Sequence, residues 1–152
     1  MTGHKKLEKQ LSQELFVHEG ERSGRKTFSQ GRETILLAED EKEVRELFKT
    51  FLEGSGYKVL PAADGEEALQ VFRTFQGCID LVILDAVMPK LSGPEVYEKM
   101  QRLSGSLPCL FLTGYSEEIL QNYFNLDLEI PILRKPITFL EFGRKVREIL
   151  DQ

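Results

Sequence analysis

Three carboxylates lie directly after two short apolar segments of the sequence. Glu39 and Asp40 follow the segment 34–38, and Asp85 follows the run Leu81–Leu84. Four apolar residues without alternation are typical of a strand that is covered on both faces, as in a parallel sheet between helices. Open α/β sheets bind their ligands at the carboxyl ends of such strands. The three acids are therefore candidates for metal ligands, a nucleophile or helix caps.

Three further groups at later strand ends would suit a phosphoryl group. Thr113 offers a hydroxyl, Gly114 an unobstructed backbone N–H and Lys135 a compact positive charge. Such groups can hold the oxygens of a phosphoryl group, whose transfer depends mainly on positioning and charge neutralisation. Crowded carboxylates repel each other, and Mg²⁺ offsets that repulsion because it prefers oxygen ligands and completes its shell with water and phosphate. Asp85 would be the nucleophile, since carboxylates form acyl phosphates.

Each of these residues also has an ordinary structural explanation. An aspartate before a loop rich in proline and glycine, such as Asp85, is usually a turn or cap residue, and a lysine after a strand is usually solvated. Glu39 and Asp40 could simply start a helix, where negative charge is favourable. The coincidence of all these groups at neighbouring strand ends favours a functional site over the separate explanations.

The remaining sequence supplies the elements that must position these groups. From Thr34 onward, five strand patterns alternate with five amphipathic helix patterns, which indicates βαβ units and a parallel sheet. The predicted strands cover 34–38, 57–60, 81–84, 108–112 and 130–134. The helix residues expected to face inward are Val44, Leu47, Phe48, Phe51, Leu52, Ala68, Leu69, Phe72, Phe75, Val96, Met100, Leu103, Ile119, Leu120, Tyr123, Phe124, Phe142, Val146, Ile149 and Leu150.

The order of the strands decides whether the acids meet. Pro131 falls within the fifth predicted strand, and proline is tolerated mainly at sheet edges. This fits a flavodoxin-like three-layer α/β sandwich with the strand order 2-1-3-4-5, in which the fifth strand is an edge. The switch point of that order lies between the first and third strands, so Glu39, Asp40 and Asp85 are expected to face each other.

Composition agrees with one domain and a modest N-terminal extension. The chain has 152 residues, of which 41% are hydrophobic, and a net charge of −5. We expect residues 1–32 to form a polar arm or linker, in which Leu7, Leu11 and Leu15 are spaced for a short helix, and residues 33–152 to form the domain. The sequence has no apolar run near the ~20 residues of a membrane span and no secretory signal. With cysteines expected to be reduced, this indicates a cytoplasmic protein that binds neither membrane nor nucleic acid.

Together, these motifs resemble the receiver domain of two-component response regulators, in the style of chemotaxis regulators, from about Glu33 to the end of the chain. The motifs that carry the resemblance are Glu39-Asp40, Asp85 with Met88-Pro89 and Gly93, Thr113, and Lys135-Pro136. The resemblance implies that Asp85 accepts a phosphoryl group from a histidine of a sensor histidine kinase or of a histidine phosphotransfer protein. It implies a signalling domain rather than an enzyme, because such a domain catalyses only its own phosphorylation and dephosphorylation.

The same resemblance assigns a role to each site residue. Asp40, Asp85 and the backbone carbonyl of Val87 would bind Mg²⁺, with Mn²⁺ as an alternative, while Glu39 would act through water. The Lys135–Pro136 bond is expected to be cis. A downstream protein partner would bind the face formed by the fourth helix, the fifth strand and the fifth helix. The groups expected to hold the phosphoryl oxygens are Thr113, Gly114, Lys135 and the backbone of Ala86 and Val87.

The sequence departs from the family pattern at the residues expected to act as a switch. Receivers usually have Tyr or Phe three residues before the lysine, where this chain has Ile132. Isoleucine offers neither a flat ring nor a polar tip, so we expect a weaker or differently routed coupling between Thr113 and the surface, with Tyr115 as the candidate substitute. Val87 and Tyr115 flank the route of an attacking water and are poor water-orienting groups, so we expect slow self-dephosphorylation.

Two other functions remain open at this point. A haloacid-dehalogenase-like phosphatase also uses an aspartate nucleophile and Mg²⁺, but its general acid is a second aspartate two residues later, where this chain has Val87. A degenerate receiver would bind partners without phosphorylation, and Ile132 is its main support. The segment Leu107–Tyr115 is in the style of receivers from hybrid histidine kinases, so we expect either a stand-alone regulator or a receiver from such a kinase.

Overall fold

The computed structural model describes residues 31–124 and 129–152. Within these ranges, five strands alternate with five helices along the chain. The strands are β1 (Thr34–Ala38), β2 (Lys58–Ala62), β3 (Leu81–Asp85), β4 (Cys109–Thr113) and β5 (Ile132–Arg134). The helices are α1 (Lys42–Gly54), α2 (Gly65–Thr74), α3 (Gly93–Ser104), α4 (Glu117–Phe124) and α5 (Phe139–Leu150). None of these described helices has the length and apolar character that crossing a membrane requires.

The strands form one parallel sheet in the predicted order, β2-β1-β3-β4-β5. β1 is paired with β2 on one side and with β3 on the other, so that Ala38 lies opposite both Ala62 and Leu84. Every residue of β3 and β4 is buried, and their register places Asp85 opposite Leu112. The flavodoxin-like sandwich with its switch point between β1 and β3 is therefore confirmed. The carboxyl ends of these two strands lie side by side.

Two apolar clusters fill the space on the two faces of the sheet. One contains residues of α1 and α5, and the other contains residues of α2, α3 and α4. In the first, Phe48 and Phe51 of α1 pack against Phe139 and Phe142 of α5, with ring centroids 4.6, 4.9, 5.9 and 6.1 Å apart. Burial of a large apolar side chain contributes about 1.5–3 kcal/mol relative to exposure. These clusters hold the helices against the sheet and so determine where the loops at its carboxyl edge begin.

Four helices begin at a side chain that accepts a backbone N–H. Ser116 Oγ accepts from Ile119 N at 3.3 Å at the start of α4. At the start of α2, Asp64 Oδ1 accepts from Glu67 N at 2.8 Å. At the start of α3, Ser92 and Glu95 exchange two hydrogen bonds in a capping box. Thr138 caps α5, with its hydroxyl 3.0 Å from a backbone nitrogen of the first turn. Each such cap stabilises a helix by about 1 kcal/mol.

Two helix residues that were expected in the core are exposed instead. Phe75 is 42% exposed and directly follows the last residue of α2, while Leu103 is 43% exposed and lies in the last turn of α3. Gln76 Nε2 donates to the Leu103 carbonyl oxygen at 3.0 Å, so the two helix ends are neighbours. The prediction was wrong because helical periodicity does not indicate where a helix leaves the sheet that it covers.

The strand boundaries differ from the prediction at both edges of the sheet. β2 runs from Lys58 through Pro61 to Ala62, and proline is tolerated there because β2 is an edge strand. β5 begins after Pro131, whose carbonyl oxygen accepts from Phe111 N at 3.0 Å. The edge position of β5 is confirmed, although the proline that predicted it lies just outside the strand.

Some of the residues predicted to lie on helix stripes, or their side chains, fall outside the described part of the chain. They are Leu7, Leu11, Leu15, Tyr123 and Phe124.

A group of polar side chains ties α5 to the amino ends of the strands. Arg147 donates to both carboxylate oxygens of Glu33, at 2.6 and 3.2 Å, to the Tyr57 hydroxyl at 3.2 Å and to Asp151 Oδ1 at 2.9 Å. We call these four residues the Arg147 cluster. The hydrogen bonds from Arg147 lower the pKa of Glu33 to about 2. Gly31 packs closely against the cluster, because a Cβ atom there would displace the ends of the Tyr57, Glu33 and Arg147 side chains.

Candidate functional site

Glu39, Asp85 and Lys135 come together at the carboxyl edge of the sheet. Lys135 Nζ lies 2.9 Å from Glu39 Oε1 and 3.2 Å from Asp85 Oδ2. Glu39 follows β1, Asp85 ends β3 and Lys135 follows β5, so the strand order brings together residues that are far apart in the sequence. The Glu39 side chain is fully buried, and those of Asp85 and Lys135 are 10% and 17% exposed. The lysine ammonium therefore bridges two buried carboxylates through charge-assisted hydrogen bonds.

Asp40 adds a third carboxylate to this edge. One carboxylate oxygen of each of Glu39, Asp40 and Asp85 lies within 4.8 Å of the other two. Oxygen ligands on opposite sides of a magnesium ion are about 4.2 Å apart, so this set fits Mg²⁺ after small shifts. Carboxylate oxygens do not by themselves distinguish Mg²⁺ from Mn²⁺. The described residues therefore give no reason to prefer Mn²⁺ over Mg²⁺.

Burial makes the charged forms of these acids unfavourable. It raises the pKa of Glu39, which the charge of Asp85 raises further and Lys135 partly offsets. Burial also raises the pKa of Asp85, against the lowering effects of Lys135 and the Val87 N–H. The pKa of Asp40 is raised by partial burial and then by its neighbour Glu39. One lysine therefore does not neutralise the cluster, and a divalent cation would complete its charge balance.

The turn between β1 and α1 is held by three hydrogen bonds. Glu39 N donates to the Ala62 carbonyl oxygen at 3.1 Å, which extends the pairing with β2. Glu39 Oε2 accepts from Glu41 N at 3.0 Å, and the Glu39 carbonyl oxygen accepts from Arg45 Nη1 at 2.7 Å. Asp40 lies between these fixed points. The turn thus presents the Glu39 and Asp40 carboxylates to the same cleft.

The loop after β3 fixes the orientation of Asp85. Asp85 Oδ1 accepts from Val87 N at 3.0 Å, while the Val87 side chain is 41% exposed. Gly93 N donates to the Ala86 carbonyl oxygen at 3.0 Å, which closes the loop. A Cβ atom at Gly93 would lie 2.5 Å from the Asp85 carbonyl oxygen, so glycine is required at this position. The loop and the first turn of α3 therefore pack directly against the backbone of β3.

Thr113 and Gly114 lie at the end of β4, beside β3. Thr113 is fully buried, and its Oγ1 accepts from Tyr115 N at 3.0 Å. Lys135 N donates to the Thr113 carbonyl oxygen at 2.7 Å, which ties the ends of β4 and β5 together. The Lys135–Pro136 bond is cis, as expected. The hydroxyl and the lysine that were predicted to contact phosphate thus come from adjoining backbone positions.

Three other predicted residues have surroundings that the sequence did not indicate. The Ala86 N–H donates to the Leu112 carbonyl oxygen at 2.9 Å, so the sheet already satisfies it, in contrast to its expected role as a phosphate donor. Ile132 lies opposite Phe111 and packs, half-buried, on the cluster formed with α2, α3 and α4. Tyr115 is 44% exposed and follows the site on the β4–α4 loop.

Sequence reasoning missed Arg45, which lies on the first turns of α1. Its partner is a backbone carbonyl group, and such an acceptor leaves no mark in the sequence. An arginine on the polar face of a predicted helix is ordinarily expected to be solvated. The one available signal was its position, five residues after Asp40 and so on the helix that begins at the acidic pair.

Comparison with known proteins agrees with this geometry. The family model of the response regulator receiver domain matches residues 35–147. The chain is 32% identical over 122 residues to the sensor kinase CckA of Brucella abortus, covering 80% of this chain and 13% of that protein. It is 37% identical over 117 residues to the alkaline phosphatase synthesis transcriptional regulatory protein PhoP of Bacillus subtilis, covering 76% and 48%. The chain thus spans half or less of the length of these relatives.

Among solved structures, the chain resembles the response regulator protein TrrA of Thermotoga maritima in complex with Mg²⁺-BeF. The TM-score is 0.65 and the identity 34%, and the match covers 77% of this chain and 98% of that one. The residues matched by the family model make up most of the chain and include the site from Glu39 to Lys135. The chain therefore belongs to the response regulator receiver domain family.

Proposed function

We propose that this domain receives a phosphoryl group on Asp85 from a phosphohistidine and signals through altered protein contacts. The observation that supports this most strongly is the Lys135 ammonium held between Glu39 and Asp85 in the acidic cluster. A cation at this place favours the charged, nucleophilic form of Asp85. It also supplies positive charge beside the position that an incoming phosphoryl group would occupy.

In the proposed reaction, a carboxylate oxygen of Asp85 attacks the phosphorus of a phosphohistidine. The new P–O bond forms as the P–N bond breaks, and the histidine nitrogen leaves with the bonding electron pair. The proton on the other ring nitrogen of the phosphohistidine stays on the ring, so the products are an acyl phosphate on Asp85 and a neutral imidazole. The protein contributes positioning and charge neutralisation rather than further covalent chemistry.

Four groups would bind the phosphoryl oxygens. Lys135 would donate from its ammonium and Thr113 from its hydroxyl. The Gly114 N–H would also donate, as would the Val87 N–H, whose present acceptor Asp85 Oδ1 belongs to the carboxylate that takes the phosphoryl group. The Thr113 hydroxyl accepts from Tyr115 N, which leaves its own proton available for donation. Negative charge on the phosphoryl group would thus meet donors from the ends of β3, β4 and β5.

The acidic cluster would hold Mg²⁺ beside these donors. Asp40, Asp85 and the Val87 carbonyl would bind the ion, and Glu39 would act through water. When bound, the ion neutralises charge on the phosphoryl oxygens. The all-oxygen donor set supports this assignment, as does the similarity to TrrA, whose complex contains Mg²⁺-BeF.

The phosphoryl donor would be a sensor histidine kinase or a histidine phosphotransfer protein in the cytoplasm. Similarity to a sensor kinase and to a transcriptional regulatory protein supports a place in two-component signalling. The downstream protein would bind the face formed by α4, β5 and α5. Phosphatase activity is disfavoured because Val87 occupies the position of the general acid.

Intact-mass measurement after incubation with Mg²⁺ and acetyl phosphate tests the proposal. We expect one phosphoryl adduct in the wild type and none in Asp85→Asn. Asp80→Asn is the matched control, because Asp80 is the acid at the other end of the same strand, where it accepts from Thr34 N at 2.9 Å. An unmodified wild type without turnover would indicate a degenerate receiver, and rapid release of inorganic phosphate without a stable adduct would indicate a phosphatase. Either outcome contradicts the proposal.

The acyl phosphate should also be long-lived. Val87 and Tyr115 flank the expected route of the attacking water, and both are substantially exposed without an acid or amide to orient that water. The decay of the adduct can be followed by mass after acetyl phosphate is removed. A lifetime of only seconds would show that another group orients the water.

A further inference from the structure

Arg45 forms the shortest of the hydrogen bonds that hold the turn carrying two of the acids. Its Nη1 lies 2.7 Å from the Glu39 carbonyl oxygen, and the contact is partly buried. Glu39 itself is 0% exposed, so its carbonyl group has limited access to water. A hydrogen bond from a charged donor to a shielded carbonyl group is among the stronger kinds in proteins. The Arg45 contact is therefore a substantial restraint on the backbone at Glu39.

The start of α1 differs from the starts of α2, α3 and α5. Those three helices have a capping side chain, whereas Glu41, at the corresponding position of α1, makes no side-chain capping bond. Glu41 Oε2 is, within the described residues, the buried side-chain atom without a hydrogen-bond partner. The turn before α1 consequently relies on Glu39 and Arg45 for the restraint that a cap supplies elsewhere.

We infer that Arg45 is a positioning residue for divalent-cation binding. Its bond to the Glu39 carbonyl oxygen holds the backbone of the turn so that the Glu39 and Asp40 carboxylates point into one cleft. Arg45 does not touch the cation in this assignment. The inference rests on the proposed function, because it takes Mg²⁺ to bind at the cluster of Glu39, Asp40 and Asp85.

The charge of Arg45 and its geometry predict opposite effects on Mg²⁺ binding. The positive guanidinium group of Arg45 repels a Mg²⁺ ion bound at the nearby cluster. Removal of its charge alone would therefore tighten Mg²⁺ binding. Removal of a positioning bond lets the turn relax and would weaken binding, since the ligands must then be ordered when the ion binds. The sign of the change in affinity therefore separates the two roles.

Calorimetric titration of the full chain with Mg²⁺ tests the inference. Arg45→Met keeps the aliphatic stem but removes the donor, and we expect its dissociation constant for Mg²⁺ to rise about fivefold to tenfold. Arg102→Met is the matched control, because Arg102 forms an exposed pair with Glu98 on α3, away from the site. We expect this control to bind Mg²⁺ as the wild type does. Far-UV circular dichroism and thermal unfolding establish that each variant is folded.

A second variant protects the test against a misfolded Arg45→Met. Arg45→Gln places its terminal nitrogen two bonds short of the guanidinium tip, and it should weaken Mg²⁺ binding to a similar extent. Wild-type or tighter binding in a folded variant at position 45 would overturn the inference alone. Absence of saturable Mg²⁺ binding in the wild type would overturn the proposed function and this inference with it, so the two failures are distinguishable.

Discussion

The two ends of the sheet each hold a basic side chain between acids, but the outcome for the acids is opposite. At the amino end, Arg147 donates two parallel hydrogen bonds to the Glu33 carboxylate, and the pKa of Glu33 falls to about 2. At the carboxyl end, Lys135 contacts Glu39 and Asp85, yet burial raises the pKa of both acids. At the amino end, the hydrogen bonds from Arg147 lower the pKa by more than burial raises it. At the carboxyl end, burial raises the pKa values by more than Lys135 lowers them.

This difference shows how one fold separates stability from function. The planar guanidinium of Arg147 matches the geometry of a carboxylate and satisfies it. The compact ammonium of Lys135 is shared by two buried carboxylates that also repel each other. The amino end is thus electrostatically complete, whereas the carboxyl end gains from further positive charge. A cluster of carboxylates whose negative charge is only partly balanced is suited to binding a cation and, with it, a phosphoryl group.

Of the variants considered, one that lacks the Lys135 ammonium should show the largest changes, both in phosphorylation and in stability. In Lys135→Met, we expect phosphorylation by acetyl phosphate to slow about 100-fold, because a preorganised donor beside the phosphoryl group is lost. We also expect the free energy of unfolding in EDTA to fall by about 2–4 kcal/mol, since two buried acids lose their partner, and Mg²⁺ to restore part of it. Intact-mass kinetics and urea unfolding measure these two quantities.

The control for this variant is Lys49→Met on the surface of α1. Lys49 pairs with Glu53 at 3.2 Å, and such an exposed pair is worth less than about 1 kcal/mol. A phosphorylation rate of Lys135→Met within a factor of two of the wild type would remove the main support for the proposed site.

Removal of Arg147 should have the reverse profile. In Arg147→Met, we expect the free energy of unfolding to fall by about 2–3 kcal/mol, because Glu33 and Tyr57 lose a shared, partly buried donor. The phosphorylation rate of the folded protein should match that of the wild type. Urea unfolding and intact-mass kinetics on the same samples provide the test. A slower phosphorylation without loss of stability would show that the two ends are not separate in function.

A fall in pH should change the free energy of unfolding in opposite directions through the acids at the two ends of the sheet. The pKa of Glu33 is about 2 in the folded state against 4.5 in the unfolded state. Its stabilising contribution is therefore complete above pH 4.5 and is lost as the pH falls toward 2. After allowance for solvent screening, this loss is about 1–2 kcal/mol. The pKa of Glu39 is raised above 4.5, so its unfavourable contribution is absent below pH 4.5 and grows as the pH rises above it.

Urea unfolding between pH 2 and pH 8 in EDTA separates the pH dependence due to Glu33 from that due to Glu39. Glu33→Gln should flatten the decline of stability below pH 4.5. Glu39→Gln should leave that decline in place and reduce the decrease above pH 4.5, to which Asp40 and Asp85 also contribute because their pKa values are raised too. Identical profiles for the two variants would contradict the assignment of opposite electrostatic states to the two ends.

The smallest expected effects are changes of amide chemical shift when a phosphoryl mimic and Mg²⁺ bind. Shifts should be largest around Asp85, smaller around Ile132 and negligible around Arg147. The reason is that an isoleucine has no polar tip to follow Thr113, and the amino end lies at the far side of the sheet. Nuclear magnetic resonance spectra with and without beryllofluoride measure these shifts. Changes at Ile132 equal to those at Asp85 would show that the usual switch is intact.

Much of the carboxyl end could be predicted because the hydrophobic pattern locates the strands, and because their alternation with helices and the position of Pro131 favour one strand order. That order determines which loop residues meet. Glu39, Asp85 and Lys135 were each recognisable as a polar residue at the end of an apolar run. The amino end could not be predicted in this way. Glu33 and Arg147 are 114 residues apart on predicted polar surfaces, where local periodicity contains no information about partners.

The errors have the same origin. Phe75 and Leu103 were assigned to the core by extending a periodic stripe to the ends of helices, where the sheet no longer covers them. Arg45 was overlooked because its acceptor is a main-chain atom of Glu39. Patterns of side chains therefore predict which elements pack together. They do not predict contacts that depend on where an element ends or on the main chain.

The lack of a side chain at Gly93 has a mechanical consequence. Because a single added carbon would lie 2.5 Å from the Asp85 carbonyl oxygen and 3.0 Å from Ala86 Cα, main chain meets main chain where β3 and α3 touch. No flexible side chain lies between them to absorb a displacement. A movement of the β3 backbone toward α3 would therefore act directly on the start of that helix, which is also joined to the loop by the Gly93 N–H bond to the Ala86 carbonyl oxygen.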